Sequence, residues 1–130
     1  MGGLTLDTGA LIGLERLRTR VLHVVAVAEA ERRRITVPSV VIAEWWRGAN
    51  PMRNRVRRSI QVEAVDEGLA RLAGEALAWL GKRAGVDASV TIDAVVMASA
   101  ARRGDVVFTA DIHDCRRFQP FFPGVKVLSV

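Results

Sequence analysis

The stretch Leu4-Thr5-Leu6-Asp7-Thr8-Gly9-Ala10, residues 4–10, joins a short apolar segment to a helix through a single acid. Leu4 to Leu6 reads as a strand, and Asp7-Thr8-Gly9 as the turn out of it. The helix that follows carries Ala10, Leu14 and Leu17 on one face. The same device recurs near the end of the chain, where the strand Asp105 to Thr109 runs through Ala110 into a short helix, Asp111 to Phe118. Strands that alternate with helices through short connections are the mark of an α/β fold with a parallel sheet.

The segments between these junctions continue the alternation. Val21, Val24, Val25 and Ala28 recur at the spacing of an amphipathic helix. Ile35 to Val37 is a short strand before Pro38, and Ser39 is a good N-cap for the helix that carries Glu44. Asn50 to Arg58 reads as a basic helix, Ile60 to Val65 as a strand, and Leu69, Leu72, Ala73, Ala76, Leu77 and Leu80 as a helix ending near Gly81 or Gly85. Thr91 to Arg103 is apolar nearly all round, so it predicts a helix buried at the centre of the fold. Val125 to Leu128 is the last strand. The expectation is one domain over residues 1–130, with a central parallel sheet of about four to five strands flanked by helices.

Composition narrows the functional classes. The longest apolar runs, Val21 to Ala28 and Ala94 to Ala101, fall well short of the roughly 20 residues a spanning helix needs. Asp7 interrupts the only stretch resembling a secretory leader, so a cytoplasmic protein without membrane insertion is expected. A lone Cys115 can form neither an internal disulfide nor a cysteine zinc site. The formal charge is +5, carried almost entirely by Arg, with Lys only at 82 and 126. Arg suits bidentate phosphate contacts, so a polyanion or an acidic partner is one reading and a solvated surface the other. The clusters are Arg32 to Arg34, then Arg53, Arg55, Arg57 and Arg58, then Arg102-Arg103 and Arg116-Arg117.

Each acid has an ordinary explanation. Asp7 and Asp111 suit N-caps, Asp93 a first-turn carboxylate favoured by the helix dipole, and Asp114 a capping-box answer to Asp111. Glu44 fits this scheme less well. It sits in the mostly apolar stretch Val40 to Trp46, and a buried carboxylate there needs a cation or hydrogen-bond donors. In an open parallel sheet, ligand sites lie outside the carboxyl ends of the strands, which is where Asp7 and Asp111 fall. Taken together the acids form a candidate site for a divalent cation.

These residues resemble the PIN-domain ribonucleases, and in particular the VapC toxins of bacterial toxin–antitoxin pairs. The resemblance rests on Leu4-Thr5-Leu6-Asp7-Thr8, on Pro38-Ser39-Val40-Val41-Ile42-Ala43-Glu44, on Ile92-Asp93-Ala94 and on Thr109-Ala110-Asp111, in that order along the chain. It implies that Asp7, Glu44, Asp93 and Asp111 are the acidic quartet, Asp114 an additional acid, and Thr109 a hydroxyl supporting the site. Many relatives carry Pro after the fourth acid where this chain has Ile112-His113, which leaves the shares of Asp111 and Asp114 open. The implied chemistry is hydrolysis of RNA to a 5′-phosphate and a 3′-hydroxyl with Mg²⁺ or Mn²⁺. These hard ions take oxygen ligands, so Asp7, Asp93 and Asp111 are the expected metal ligands, and Glu44 orients or deprotonates the water. The implied partners are RNA, tRNA or another structured RNA among the candidates, and a small VapB-like antitoxin, with the protein as a homodimer.

Other residues have simpler readings. His23 is structural, His113 exposed, and Cys115 a packing residue, while Trp45 and Trp46 suit core or dimer packing better than base stacking. A phosphate-accepting receiver domain is disfavoured, because it needs an acidic pair after the first strand and a Lys after the last, whereas Asp7 stands alone and Lys126 lies inside a strand. A PIN-type RNA-processing nuclease without an antitoxin, and a non-catalytic RNA-binding module, are the alternatives.

Overall fold

The run Leu4–Leu6 becomes the central strand, β1, because three residues that are all buried can pair on both sides only in the middle of a sheet. The computed structural model describes residues 2–81 and 88–130. Within them β2 (Ile35–Pro38), β3 (Gln61–Glu63), β4 (Val106–Thr109) and β5 (Lys126–Ser129) join β1 in the order β3-β2-β1-β4-β5. Every neighbouring pair is parallel, with Leu4 opposite Ile35 on one side and Val106 on the other. Gly3 leads into this crowded position. A Cβ there would lie 2.0 Å from the carbonyl oxygen of Arg34, so a larger residue forces β1 and β2 apart.

The helices among the described residues are α1 (Thr8–Glu15), α2 (Thr19–Ala30), α3 (Ser39–Trp45), α4 (Pro51–Ser59), α5 (Glu67–Leu80), α6 (Ala88–Arg103) and α7 (Ile112–Arg116). The α6 helix is the central one, packing on β1, β2 and β4, and it is buried without interruption from Asp93 to Ala100. The α5 helix lies along α6 and ends at Leu80, capped by Gly81; Gly85, the other expected end, lies outside the described residues. The core runs through Leu6, Leu11, Val37, Val96, Met97 and Phe108.

Three expectations need correction. Leu17 is not on the α1 face: the helix stops at Glu15, Leu17 turns left-handed at φ 55°, and its side chain is 55% exposed. The amide of Arg18 then bonds the carbonyl of Gly13, which closes the helix and reverses the chain into α2. Ser39 is not the N-cap of α3. That position falls to Pro38, and the Ser39 hydroxyl instead accepts from the amide of Val65, tying α3 to the segment after β3. His23 is exposed rather than structural. Trp45 is buried and meets Trp46 edge to face, in agreement with packing rather than stacking.

Beneath the sheet, on the face covered by α6, a polar network holds the layers together. Asp105, buried just before β4, accepts from the Gly3 amide at 2.7 Å, the Thr5 hydroxyl at 2.8 Å and Arg103 Nε at 3.0 Å. The same Arg103 donates to Thr5 and Ser99 and pairs with Glu63, so one guanidinium ties together β1, β3, α6 and the entry to β4. A buried carboxylate with three donors, one of them charged, is stabilising only as a set, because removing it strands every donor. Asp105→Ala should therefore lower unfolding stability by about 3 kcal/mol, read as a lower urea midpoint with an unchanged slope.

Candidate functional site

Asp7 leaves β1 as the N-cap of α1, and its side chain does what a cap does: Oδ1 accepts from the Ala10 amide at 3.0 Å. Its second oxygen is held differently. Oδ2 accepts from the Thr109 hydroxyl and, at 3.3 Å, from the Ala110 amide, so β1 and β4 are linked at their carboxyl ends through this carboxylate. Thr109 Oγ1 in turn accepts from the Asp111 amide at 2.8 Å, which sets the turn into α7. Gly9 permits this approach. A Cβ on it would sit 2.3 Å from the Ala110 Cβ and push α1 away from that turn.

The ordinary explanations hold for Asp7 alone. Asp111 occupies the N-cap position of α7 but makes no side-chain cap bond. Asp93 lies beyond the first turn of α6, a turn that carries no acid, and is buried with one oxygen, Oδ2, lacking any hydrogen-bond partner. Glu44, expected to be buried, is exposed at the end of α3, and Oε1 accepts from the Thr8 hydroxyl at 2.5 Å. That contact assigns Thr8 a place which its position after Asp7 did not reveal.

Asp7, Glu44, Asp93 and Asp111 line one cavity of about 250 Å³, with Thr8, Gly9, Ser89, Ile92 and Ala110 making up the rest of its wall. The four acids come from the ends of β1 and β4, from α3 and from α6, so only the tertiary fold brings them together. Asp114 stands outside the lining, half-buried, with Arg117 at 3.8 Å. Burial pushes the Asp93 carboxyl up from its ordinary 3.8 to about 7, helped by the negative charges of Asp114, Asp111, Asp7 and Glu44 in that order. Asp114 thus acts on Asp93 electrostatically from outside the cavity. Burial also raises Asp7, against the donors that hold it. The Cys115 thiol, buried behind Thr109, is pushed up to about 12 and is not a nucleophile.

Among the described residues, no three Asp, Glu, His or Cys side chains are already gathered as a metal site. The donor set still fits a hard cation in kind: it is all carboxylate oxygen, and the buried Oδ2 of Asp93 has no other partner. A cation would relieve the mutual repulsion that now favours the protonated form of Asp93.

Residues 4–118 match the PIN domain family. None of the curated proteins matches the sequence. In fold the chain is similar to one from VapBC2 of Rickettsia felis bound to a DNA fragment from its promoter, with a TM-score of 0.72 at 13% identity over 98% of both chains. It is also similar to one from DNA-bound VapBC of Salmonella typhimurium (TM-score 0.71, 18% identity, 99% of this chain and 98% of that one). A third similar chain is from FitAB bound to an IR36 DNA fragment (TM-score 0.67, 19% identity, 97% and 94%). At these identities the likeness is one of fold, whereas the family match covers β1 to α7 and takes in all five acids; the chain belongs to the PIN domain family.

Proposed function

We propose that this protein is a metal-dependent endoribonuclease, the toxin of a type II toxin–antitoxin pair acting in the cytoplasm. The observation that carries the reading is the convergence of Asp7, Glu44, Asp93 and Asp111 on one cavity at the carboxyl edge of the sheet, with a buried oxygen of Asp93 unpartnered. PIN domains are generally nucleases that use divalent metal ions. Asp7, Asp93 and Asp111 would hold Mg²⁺ or Mn²⁺, which supplies a readily deprotonated water and neutralises charge on the phosphate. Glu44 is the base in this reading: Thr8 fixes one of its oxygens and the other is left to take a proton from the attacking water. Thr109 and the Ala110 amide hold Asp7 in place, and Asp114 adds negative charge that draws the cation in. Cleavage leaves a 5′-phosphate and a 3′-hydroxyl, and the substrate is a structured RNA such as tRNA.

The antitoxin part rests on the fold shared with chains of VapBC and FitAB and on an apolar groove between α1, α2 and α4. This groove of about 350 Å³ is walled by Leu14, Leu17, Leu22, Val25, Met52 and Val56, and Leu17 and Leu22 are 55% and 39% exposed. An amphipathic segment of an antitoxin fits such a surface. Its basic residue would reach the carboxylates and compete with the cation, since both neutralise the same groups. The protein itself would act as a homodimer.

Metal binding has a thermal signature with a defined pH dependence. Without metal, Asp93 titrates near 7 in the folded protein and near 3.8 unfolded, so between those values the folded state holds a proton that the unfolded state has lost. Stability should therefore fall as pH rises from about 4 to about 7 and level off above, and Asp93→Asn should flatten that slope. Mg²⁺ or Mn²⁺ should raise Tm, more at pH 8 than at pH 6 because the ligand must be ionised, and Asp93→Asn should lose most of this shift. An unaltered metal response in Asp93→Asn would remove it from the ligand set.

Glu44→Gln should reduce RNA cleavage by about 10²–10⁴-fold with folding and RNA binding retained. Sequencing of RNA 5′-phosphate ends after induction reads the loss and gives the target. A near-normal rate in a pure preparation would exclude Glu44 as the base.

For the partner, Leu17→Glu with Leu22→Glu should abolish co-purification of a small protein from the native cell while leaving nuclease activity intact. Recovery of the wild type only as a free, active nuclease rejects the toxin assignment and favours an RNA-processing enzyme.

A further inference from the structure

The edge of the sheet opposite the carboxylates carries a second feature that the proposed reaction does not use. Two adjoining hollows, of about 510 and 340 Å³, open around the turn between α2 and β2. Both are lined by Arg32, Arg33 and Arg34; the first reaches Gly3, Arg103 and Asp105, the second Ser59 and Gln61. All of these precede strands or end helices, which puts the hollows at the amino ends of β1 to β4.

Two of the four wall arginines are committed. Arg103 is held by Asp105 and Glu63, and Arg33 by Glu31 at 2.6 Å and the Gly2 carbonyl at 2.8 Å. Arg32 and Arg34 are exposed, and among the described residues their guanidinium groups have no hydrogen-bond or ion-pair partner. Glu29 is the one wall acid not tied to an arginine. The last turn of α4, ending in the wall at Ser59, adds the exposed Arg57 and Arg58.

The backbone at Arg32 points the same way. It closes α2 in the left-handed conformation, φ 57°, with the Arg32 amide bonded to the Glu29 carbonyl and the Arg33 amide to that of Ala28. Glycine is the usual residue there because a Cβ is strained. An arginine in its place accepts that strain, and what it adds is a cation at the lip of both hollows.

We propose that Arg32 and Arg34 bind phosphates of an RNA backbone at this edge, a second contact that holds a structured substrate away from the carboxylates. Guanidinium forks at the rim of hollows are suited to phosphodiesters, and such contacts position a nucleic acid without reading its sequence. The two edges are separated by the three-residue strand β1, four steps from Gly3 to Asp7 or about 13 Å, so an RNA must extend beyond the scissile linkage to reach both. The proposal rests on the RNA-cleaving reading for its substrate.

The test compares wild type with Arg32→Glu/Arg34→Glu, and with the milder Arg32→Gln/Arg34→Gln, each checked for an unchanged Tm. Binding of a labelled RNA hairpin is measured by anisotropy in EDTA across a salt series, and cleavage with Mn²⁺ is followed on the hairpin and on a short single-stranded oligonucleotide. The expected result is an affinity for the hairpin lower by about tenfold or more in the Glu variant and less in the Gln variant, with a shallower salt dependence. Hairpin KM should rise while cleavage of the short oligonucleotide is unchanged. Hairpin affinity and salt slope equal to wild type overturn the proposal, even if binding of polyglutamate is lost, which would mark an acidic protein as the ligand. If the wild type cleaves neither RNA but its hairpin binding depends on Arg32 and Arg34, the surface stands and the nuclease reading fails. If it cleaves both while binding ignores these residues, the nuclease reading stands alone.

Discussion

Two buried carboxylates, Asp105 at the entry to β4 and Asp93 on α6, meet opposite fates, and the molecule is organised around that difference. Asp105, at the amino edge, has three donors, one of them a guanidinium. Asp93, toward the carboxyl edge, has an oxygen with no partner and four further acids acting on it. Burying a charge without a partner is costly enough to favour the protonated form, and burial raises the Asp93 carboxyl to about 7. A fold able to satisfy Asp105 so completely is not short of arginines. Among the described residues no side chain is hydrogen-bonded to the buried oxygen of Asp93, so that carboxylate is left to be neutralised by a bound cation in the proposed reading.

The geometry that enforces this is local. β1 is only three residues long, so Asp7 emerges directly from the sheet centre with β2 on one side and β4 on the other. Gly3 lets the strand in, and Gly9 lets α1 press against the turn after β4. Asp7 is then fixed by Thr109 and Ala110, which places Asp111 one residue further along the same turn. The central helix α6 completes the arrangement, because Arg103 pins its end to the amino edge and its buried length carries Asp93 toward the cavity. The network around Asp105 and the acidic cavity are thus two ends of one rigid element.

The sequence disclosed the parts whose signals are local. Alternating apolar runs and turn acids gave the α/β order, and the five strands lie where those runs predicted, with boundaries shifted by a residue or two, as at Lys126–Ser129. The quartet could be listed because each acid follows a strand or rides on a helix. What escaped notice depends on long-range contact. Nothing near Glu44 indicates that it faces solvent and meets Thr8 across 36 positions, because the apolar residues around it bury the opposite side of α3. Ser39 has ideal capping chemistry, but the amide of Val65 takes its hydroxyl. Leu17 continues the helical spacing, yet the helix ends first. Asp105 appeared only as the start of a strand, and its bond to Gly3 spans 102 positions.

Charge distribution links these features. A net charge of +5 attracts a polyanion from a distance, but near the cavity the local field is negative and opposes an approaching phosphate. The uncommitted Arg32 and Arg34 line hollows at the other end of the strands, a strand length of about 13 Å, more than the roughly 8 Å over which exposed charges act in physiological salt. They are too far to neutralise Asp93 or its neighbours, and Arg117 pairs with Asp114 outside the cavity wall. A phosphodiester can therefore be drawn to the protein by its basic surface and still be turned away at the carboxylates until a cation sits among them. On the proposed reading, metal occupancy would control whether an RNA held by the basic surface can enter the site.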